Sequence, residues 1–499
     1  MTDAPRQQAA VFDPPDEGLR KRVVRGAAVT YAAQAIRFLI QIVAVIVMSR
    51  LLVPADFGLL AMVTPVYGLA LLFQDLGLTQ ATIQRPQITH AQVTTLFWIN
   101  VAVSLGLALL LIMLSPAVGW FYGDDRTANL TRGFAAIIVL SAMAAQHLAL
   151  INRAMRFGYL AVLDTVAYLL GFLGAVLLAV VLRNYWALFA SPAIVTFVNV
   201  IGAWIGTGFV PSLPRWERDM REILRLGGGI TGFNIFTFIA RNLDNVLIGH
   251  AWGNTALGLY DRAYKLLLFP LQLMHSPLVR VMLPTLARLQ HDADRYRIVY
   301  LRAVSQLLLV LQPGIVFTIA TADTLVPTLL GKPWSGAAPI FVWLGLVALQ
   351  QPVSVTTNWL FVSQGRSQAY LYWGAFNAAT STAAFFAGLP WGPIGVAAAY
   401  SITQVCPRMP VMWWMATRSG PVHLRDLYNV VAPHAAASAA SFAAIIVLRH
   451  AATTDTIPGL ASCLCTSYAV AFLVLALIPS GRMTLRESMS LVSSILRGS

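Results

Sequence analysis

Charge is what this chain has least of. Asp, Glu, Lys and Arg make up 11% of its 499 residues, where a soluble domain carries about 25%. A water-facing surface of ordinary size cannot be built from so little. Cysteine is as scarce. Cys406, Cys463 and Cys465 all lie in apolar runs, fit no metal spacing and give no disulfide framework; they read as small packing residues. Acids are outnumbered, with 20 Asp and Glu against 34 Lys and Arg and a formal net charge of +14. Such an excess can mark a nucleic-acid binder, but no basic block here alternates with exposed aromatics. The basic residues sit in short segments between apolar runs, as on the cytoplasmic face of a membrane protein. No nucleic-acid partner is expected. There is no Walker loop, HExxH or nucleophile elbow. The expectation is therefore a protein that is not an enzyme and has no cofactor, metal site or catalytic residue. Uphill work would fall to an ion gradient, Na+ or H+, or to substrate supply. Asp124 and Asp125 form an acidic pair in an outer loop, where some membrane glycosyltransferases keep catalytic acids; a solvated turn is the simpler reading. The first 25 residues show no short apolar core, so no secretory signal peptide is expected.

What the chain does have is apolar length: 58% of it is hydrophobic. The runs predict an all-α integral membrane protein of about fourteen transmembrane helices. Pro and Gly mark the joins, as at Pro54 and Gly58, Pro390 to Pro393, and Gly420-Pro421. With the N-terminus in the cytoplasm, 22 Lys and Arg fall inside and 6 outside. The positive-inside rule then places both termini in the cytoplasm.

The first span, about 27–53, carries Gln34, Arg37 and Gln41 on one helical face, with Thr30 a turn earlier. Arg37 would lie roughly 15 Å into the bilayer. An arginine there costs roughly 2.5–3.5 kcal/mol on insertion scales. Either the stripe lines a polar cavity that receives something anionic, or Arg37 snorkels or pairs with an acid on another helix.

A shift of about 200 residues lays the seventh span on the first. Asn234, Thr237 and Arg241 fall under Gln34, Arg37 and Gln41, and Asp244 and Asn245 follow a turn later. Phe57-Gly58-Leu59 falls under Leu257-Gly258-Leu259. Six spans separate the copies, so the repeat is parallel. This predicts two pseudo-symmetric six-helix bundles, 26–210 and 226–417. Around them lie a cytoplasmic segment 1–25, a basic linker 211–225, two more helices in 418–480, and an amphipathic tail 481–499 on the membrane surface. Arg241 and Asp244, three apart, could neutralise each other or serve a substrate or cation, with Asp244 a candidate cation ligand. Arg408, among Pro407 and Pro410 in the twelfth span, marks a broken helix of the kind that lines a cavity. The candidate substrate-binding set is Gln34, Arg37, Gln41, Asn234, Arg241, Asp244, Asn245 and Arg408.

One run of motifs goes further. Ser49-Arg50-Leu51-Leu52, Pro54, Asp56, Phe57-Gly58-Leu59, Asp75-Leu76-Gly77, Phe97-Trp98, Phe121-Tyr122-Gly123, Trp186-Ala187-Leu188 and Gly258-Leu259-Tyr260 together resemble one known family. It is the oligosaccharide flippases of the multidrug/oligosaccharidyl-lipid/polysaccharide exporter superfamily, nearest the polysaccharide transporter branch with its colanic-acid and xanthan exporters. The resemblance covers about residues 26–290. It implies a bacterial inner-membrane protein that moves undecaprenyl-diphosphate-linked oligosaccharide to the periplasmic leaflet, with two lobes rocking about a cavity. Membrane lipid, a polysaccharide polymerase and chain-length proteins are the implied partners. Two other readings stand beside it. An ion-coupled drug or metabolite antiporter of the same superfamily would want acids as its main intramembrane charges. A membrane glycosyltransferase, polymerase or ligase acting on lipid-linked sugars would want a long outer loop.

Overall fold

In a bilayer the backbone has no water to bond with, so an apolar run must satisfy its own N–H and C=O groups as helix. The computed structural model follows that rule. It describes the backbone of residues 19–496 except 76, 86, 215–219 and 453. Side chains are described over 29–493 except at 31, 75–76, 86, 215–237, 240, 268–277, 280, 453, 489 and 491–492. Among the described residues every regular element is helical. Among the described residues eleven stretches are long and apolar enough to cross a membrane, and the chain is a multi-pass membrane protein. One of them, Ser367–Thr417, runs 51 residues and is turned at Leu389–Trp391. The helix Met220–Arg288 is broken at Gly253, whose φ of 79° only glycine adopts freely. The expected count of about fourteen treats each of these two stretches as a pair of spans.

The chain divides into two compact units, Met1–Gly258 and Leu259–Ser499. The first contains α1 (Leu19–Leu51), α2 (Pro54–Asp75), α3 (Leu78–Gln84), α4 (His90–Tyr122), α5 (Asp125–Arg153), α6 (Phe157–Leu182), α7 (Trp186–Thr207) and the part of α8 (Met220–Arg288) up to Gly258. Helix α4 packs along α5, α6 along α7, and α1 along α6. Lipid tails are as apolar as leucine, so close approach through small residues replaces hydrophobic drive. The α6–α7 seam works this way: a Cβ on Gly202 would collide with Leu163, and one on Gly174 with Ile194. At one end of the unit Leu78, Val93, Leu96, Leu150 and Phe209 form a buried cluster.

The second unit holds α9 (Ala293–Ala320), α10 (Ala322–Leu330), α11 (Ala337–Ser363), α12 (Ser367–Gly388), α13 (Gly392–Thr403), a π-helical turn Gln404–Arg408, α14 (Met409–Thr417), α15 (Leu424–Ala451), α16 (Ile457–Leu477) and α17 (Pro479–Leu496). Helix α9 lies against α11, α15 and α16. The tail expected on the membrane surface is α17, held to α9 by Ser305–Thr484 at 2.7 Å and Arg302–Glu487 at 2.9 Å. Leu485 joins Leu309, Ala437, Ala471 and Leu475. Met489, Val492 and Leu496, the rest of its expected apolar face, lie outside the described side chains.

One turn geometry occurs in both units. Met155 and Gly365 both adopt positive φ, 52° and 67°. Beside them Arg156 caps Gly206 O at 2.5 Å, and Arg366 caps Ala416 O at 2.6 Å. The backbone bonds Arg156 N–H to Ile151 O and Arg366 N–H to Phe361 O match as well. Each of these pairs stands 210 residues apart. The spacing is thus ten residues longer here than at the glycines Gly58 and Gly258. Those two glycines meet inside the first unit. A Cβ on Gly58 would strike the Asn254 carbonyl, and one on Gly258 the Pro54 carbonyl.

Candidate functional site

Arg37 keeps its place on α1, and the structure gives it a partner. Its Nη1 donates to Asp164 Oδ2 at 2.8 Å and its Nη2 to Gln34 Oε1 at 2.9 Å. Of the two readings open from the sequence, the acid on another helix is realised. Yet the pair is not sealed: the Arg37 side chain is 21% exposed and that of Asp164 38%. The Nε of Arg37 is buried without a hydrogen-bond partner. Gln34 and Gln41 are exposed on the same helix. Asp164 escaped the sequence reading. The available signal was that it is the single charged residue in Phe157–Leu182.

The α8 candidates separate. Asp244 is buried at 7% exposure and accepts the Asn245 N–H at 2.9 Å. Arg241 is exposed, Asn245 half-buried. Among the described residues no ion pair joins Arg241 to Asp244. An arginine preceding its acid on a helix is the weaker order, and here the two side chains go to different surroundings. The side chain of Asn234 lies outside those described.

Arg408 departs most from expectation. It was expected to line a cavity; it is 0% exposed. The broken helix is real, but the π-helical turn Gln404–Arg408 aims the guanidinium inward. Nη2 donates to Tyr400 O at 2.6 Å and Thr403 Oγ1 at 3.0 Å, and Nη1 to Ser381 Oγ at 2.5 Å and Asn377 Oδ1 at 3.4 Å. The Tyr400 ring lies 4.4 Å from the guanidinium carbon. The extra residue of a π-turn frees a carbonyl, and a cation with several donors occupies it. On α11, Gln350, Thr356 and Thr357 are buried as well, and Gln351 and Asn358 half-buried.

The acidic pair Asp124-Asp125 is a helix start. Asp124 caps α5 through the Arg126 N–H at 3.0 Å and takes a fork from the Arg126 side chain, with Nη2 at 2.7 Å. Asn254 donates to it at 3.1 Å. The Arg126 guanidinium holds the Asp124 carboxyl below the usual carboxylate range, the opposite of what a general acid requires. Among the described residues no cluster of His, Cys, Asp and Glu is arranged to hold a metal ion.

Arg37 is therefore a partly exposed guanidinium within an apolar helix of the first unit, flanked by amides. Arginine in that setting binds oxyanions, and amides bind hydroxyl-rich groups. Comparison with known proteins gives the family and the fold. The chain is 24% identical to the lipopolysaccharide biosynthesis protein WzxC of Escherichia coli (strain K12), over 78% of this chain and 79% of that one. It is 27% identical to the succinoglycan biosynthesis transport protein ExoT of Rhizobium meliloti (strain 1021), over 72% and 73%. Its fold is similar to that of the lipid II flippase MurJ in an inward closed conformation, with a TM-score of 0.71 at 11% identity, over 90% of this chain and 98% of that one. Residues 47–339 match the family described as "Polysaccharide biosynthesis protein", and the chain belongs to it.

Proposed function

We propose that this protein is a flippase. It moves undecaprenyl-diphosphate-linked oligosaccharide repeat units from the cytoplasmic to the periplasmic leaflet of a bacterial inner membrane, by alternating access, for polysaccharide synthesis and export. The observation that carries the reading is Arg37: a cation part-way along an apolar helix, partly exposed, with Gln34 and Gln41 beside it. A diphosphate needs a cationic stop on a path that lipid makes costly, and a guanidinium offers it a planar fork. Sugar hydroxyls find amides at Gln34 and Gln41. The prenyl tail stays in lipid. Family membership and the fold likeness support the same reading. The protein makes and breaks no covalent bond in this scheme. Both termini are cytoplasmic, with about fourteen spans between them.

The test is polymer export normalised to the amount of protein in the membrane. Arg37→Ala should stop export at normal abundance. Arg37→Lys should retain part of it, because the charge stays and the fork is lost. Normal export by Arg37→Ala would remove the cation from the path and the proposal with it.

A further inference from the structure

Among the chain's other Arg–Asp pairs, Arg295–Asp292 and Arg297–Asp426 are loose, at 3.8 and 3.9 Å, and two are forked. Arg126 meets both carboxylate oxygens of Asp124, Oδ1 through Nε and Oδ2 through Nη2. Arg449 meets both of Asp323, at 2.9 and 2.7 Å. Arg37 and Asp164 differ. One N–H of the guanidinium meets one carboxylate oxygen, and both side chains stay open. Gln34 holds the other Nη, and the Nε edge is turned into the protein without an acceptor. Neither two-donor edge of Arg37 is offered whole. The guanidinium is parked, not locked.

Among the described residues, Arg37 is the cation whose charge acts on Asp164. Trp186–Thr207, the helix packed along α6, carries no charged side chain. On α1 the charged side chains described are Arg37 and Arg50. Among the described residues Asp164 therefore holds one cation, through a single hydrogen bond and without a fork. A diphosphate brings several oxygens and forms the fork that Asp164 does not. Once the phosphate departs, Asp164 is still tethered beside Arg37 at the high effective concentration of an intramolecular group.

We infer that Asp164 is a built-in competitor for the diphosphate. It occupies Arg37 in the empty protein, yields to the substrate's phosphates, and reclaims Arg37 to expel them. This rests on the proposed role of Arg37 and adds a residue that sets affinity against release. Substrate binding becomes an exchange of one anion for another, so that the cation is never left bare in an apolar setting, where an unpaired charge is costly.

The test uses the full-length protein in nanodiscs, with undecaprenyl diphosphate as probe and undecaprenol, which lacks phosphate, as control. Asp164→Asn should bind undecaprenyl diphosphate about tenfold more tightly than wild type, the equivalent of about 1.4 kcal/mol. It should leave undecaprenol binding unchanged and export polymer more slowly per molecule. A merely structural Asp164 would not tighten binding. Asp164→Ser, which admits water at the guanidinium, serves the same measurement if Asp164→Asn does not accumulate. Unchanged or weaker diphosphate binding, or an equal gain for undecaprenol, overturns the inference. Arg37→Ala separates the two claims. If it loses undecaprenyl diphosphate binding while Asp164→Asn gains none, the competitor fails and the Arg37 site stands. If it binds as wild type does, the site itself fails.

Discussion

Replacing Arg408 by methionine should leave the protein working. The guanidinium has four acceptors, and hydrogen bonds to a charged group are worth about 1.5–3 kcal/mol each. Removing it therefore looks costly, but the acceptors are not stranded. Ser381 Oγ still bonds Asn377 O at 2.6 Å, and Thr403 Oγ1 still bonds Ala399 O at 2.8 Å and Tyr400 O at 3.0 Å. Asn377 Oδ1 loses a contact of 3.4 Å, already long. The stacking on Tyr400 accounts for about 2 kcal/mol when desolvated. Against these losses, a buried cation without a carboxylate has given up several kcal/mol of hydration, which methionine of similar length does not. The balance should lie within about 2 kcal/mol of wild type. Arg408→Ala adds a cavity and should cost about 2–5 kcal/mol more. Melting temperature of the purified protein and export per molecule decide the matter. Wild-type export by Arg408→Met, with alanine worse in both measures, is the expected pattern. Methionine and alanine both abundant and stable but equally dead for export would mean that Arg408 meets cargo after all, and would refute the inward placement.

Arg156→Gln and Arg366→Gln should each destabilise by about 1–2 kcal/mol through loss of a charged cap on helix-end carbonyls. Arg366 should cost more because its Nη2 also bonds Met415 O at 2.6 Å; equal melting temperatures for wild type and both variants would argue against capping. Gly58→Ala and Gly258→Ala should each lower stability by about 1–3 kcal/mol by forcing backbone apart. The double variant should cost less than the sum, since one separation relieves both clashes; strict additivity counts against the shared contact. Reporter fusions after Arg126, Lys332 and Ser499 should read outside, outside and inside, and an outside signal at Ser499 would show a miscounted span.

The helical class was legible because lipid admits little else. Arg37 was legible for the same reason: one cation in an apolar run is conspicuous at any register. Its partner was not, because helix periodicity orders residues along one helix and says nothing of which helix lies opposite. Asp164 carried the same single-charge signature and needed α6 beside α1 to acquire meaning. Arg408 shows the converse limit. Proline marked the break in the helix, but the direction in which a π-turn points a side chain is set by the carbonyls within reach, Tyr400 O above all. Arg241 and Asp244 show that three-residue spacing permits an ion pair without compelling it.

The turns at Met155 and Gly365 share one specification: a left-handed step, an arginine after it and helix-end carbonyls that the arginine caps. The side chain at the step is no part of it, since glycine meets it in one turn and methionine in the other. What such a turn requires is a backbone path and one guanidinium. Met155 carries strain of about 1–3 kcal/mol for a non-glycine residue held there, and Gly365 makes the same turn without it.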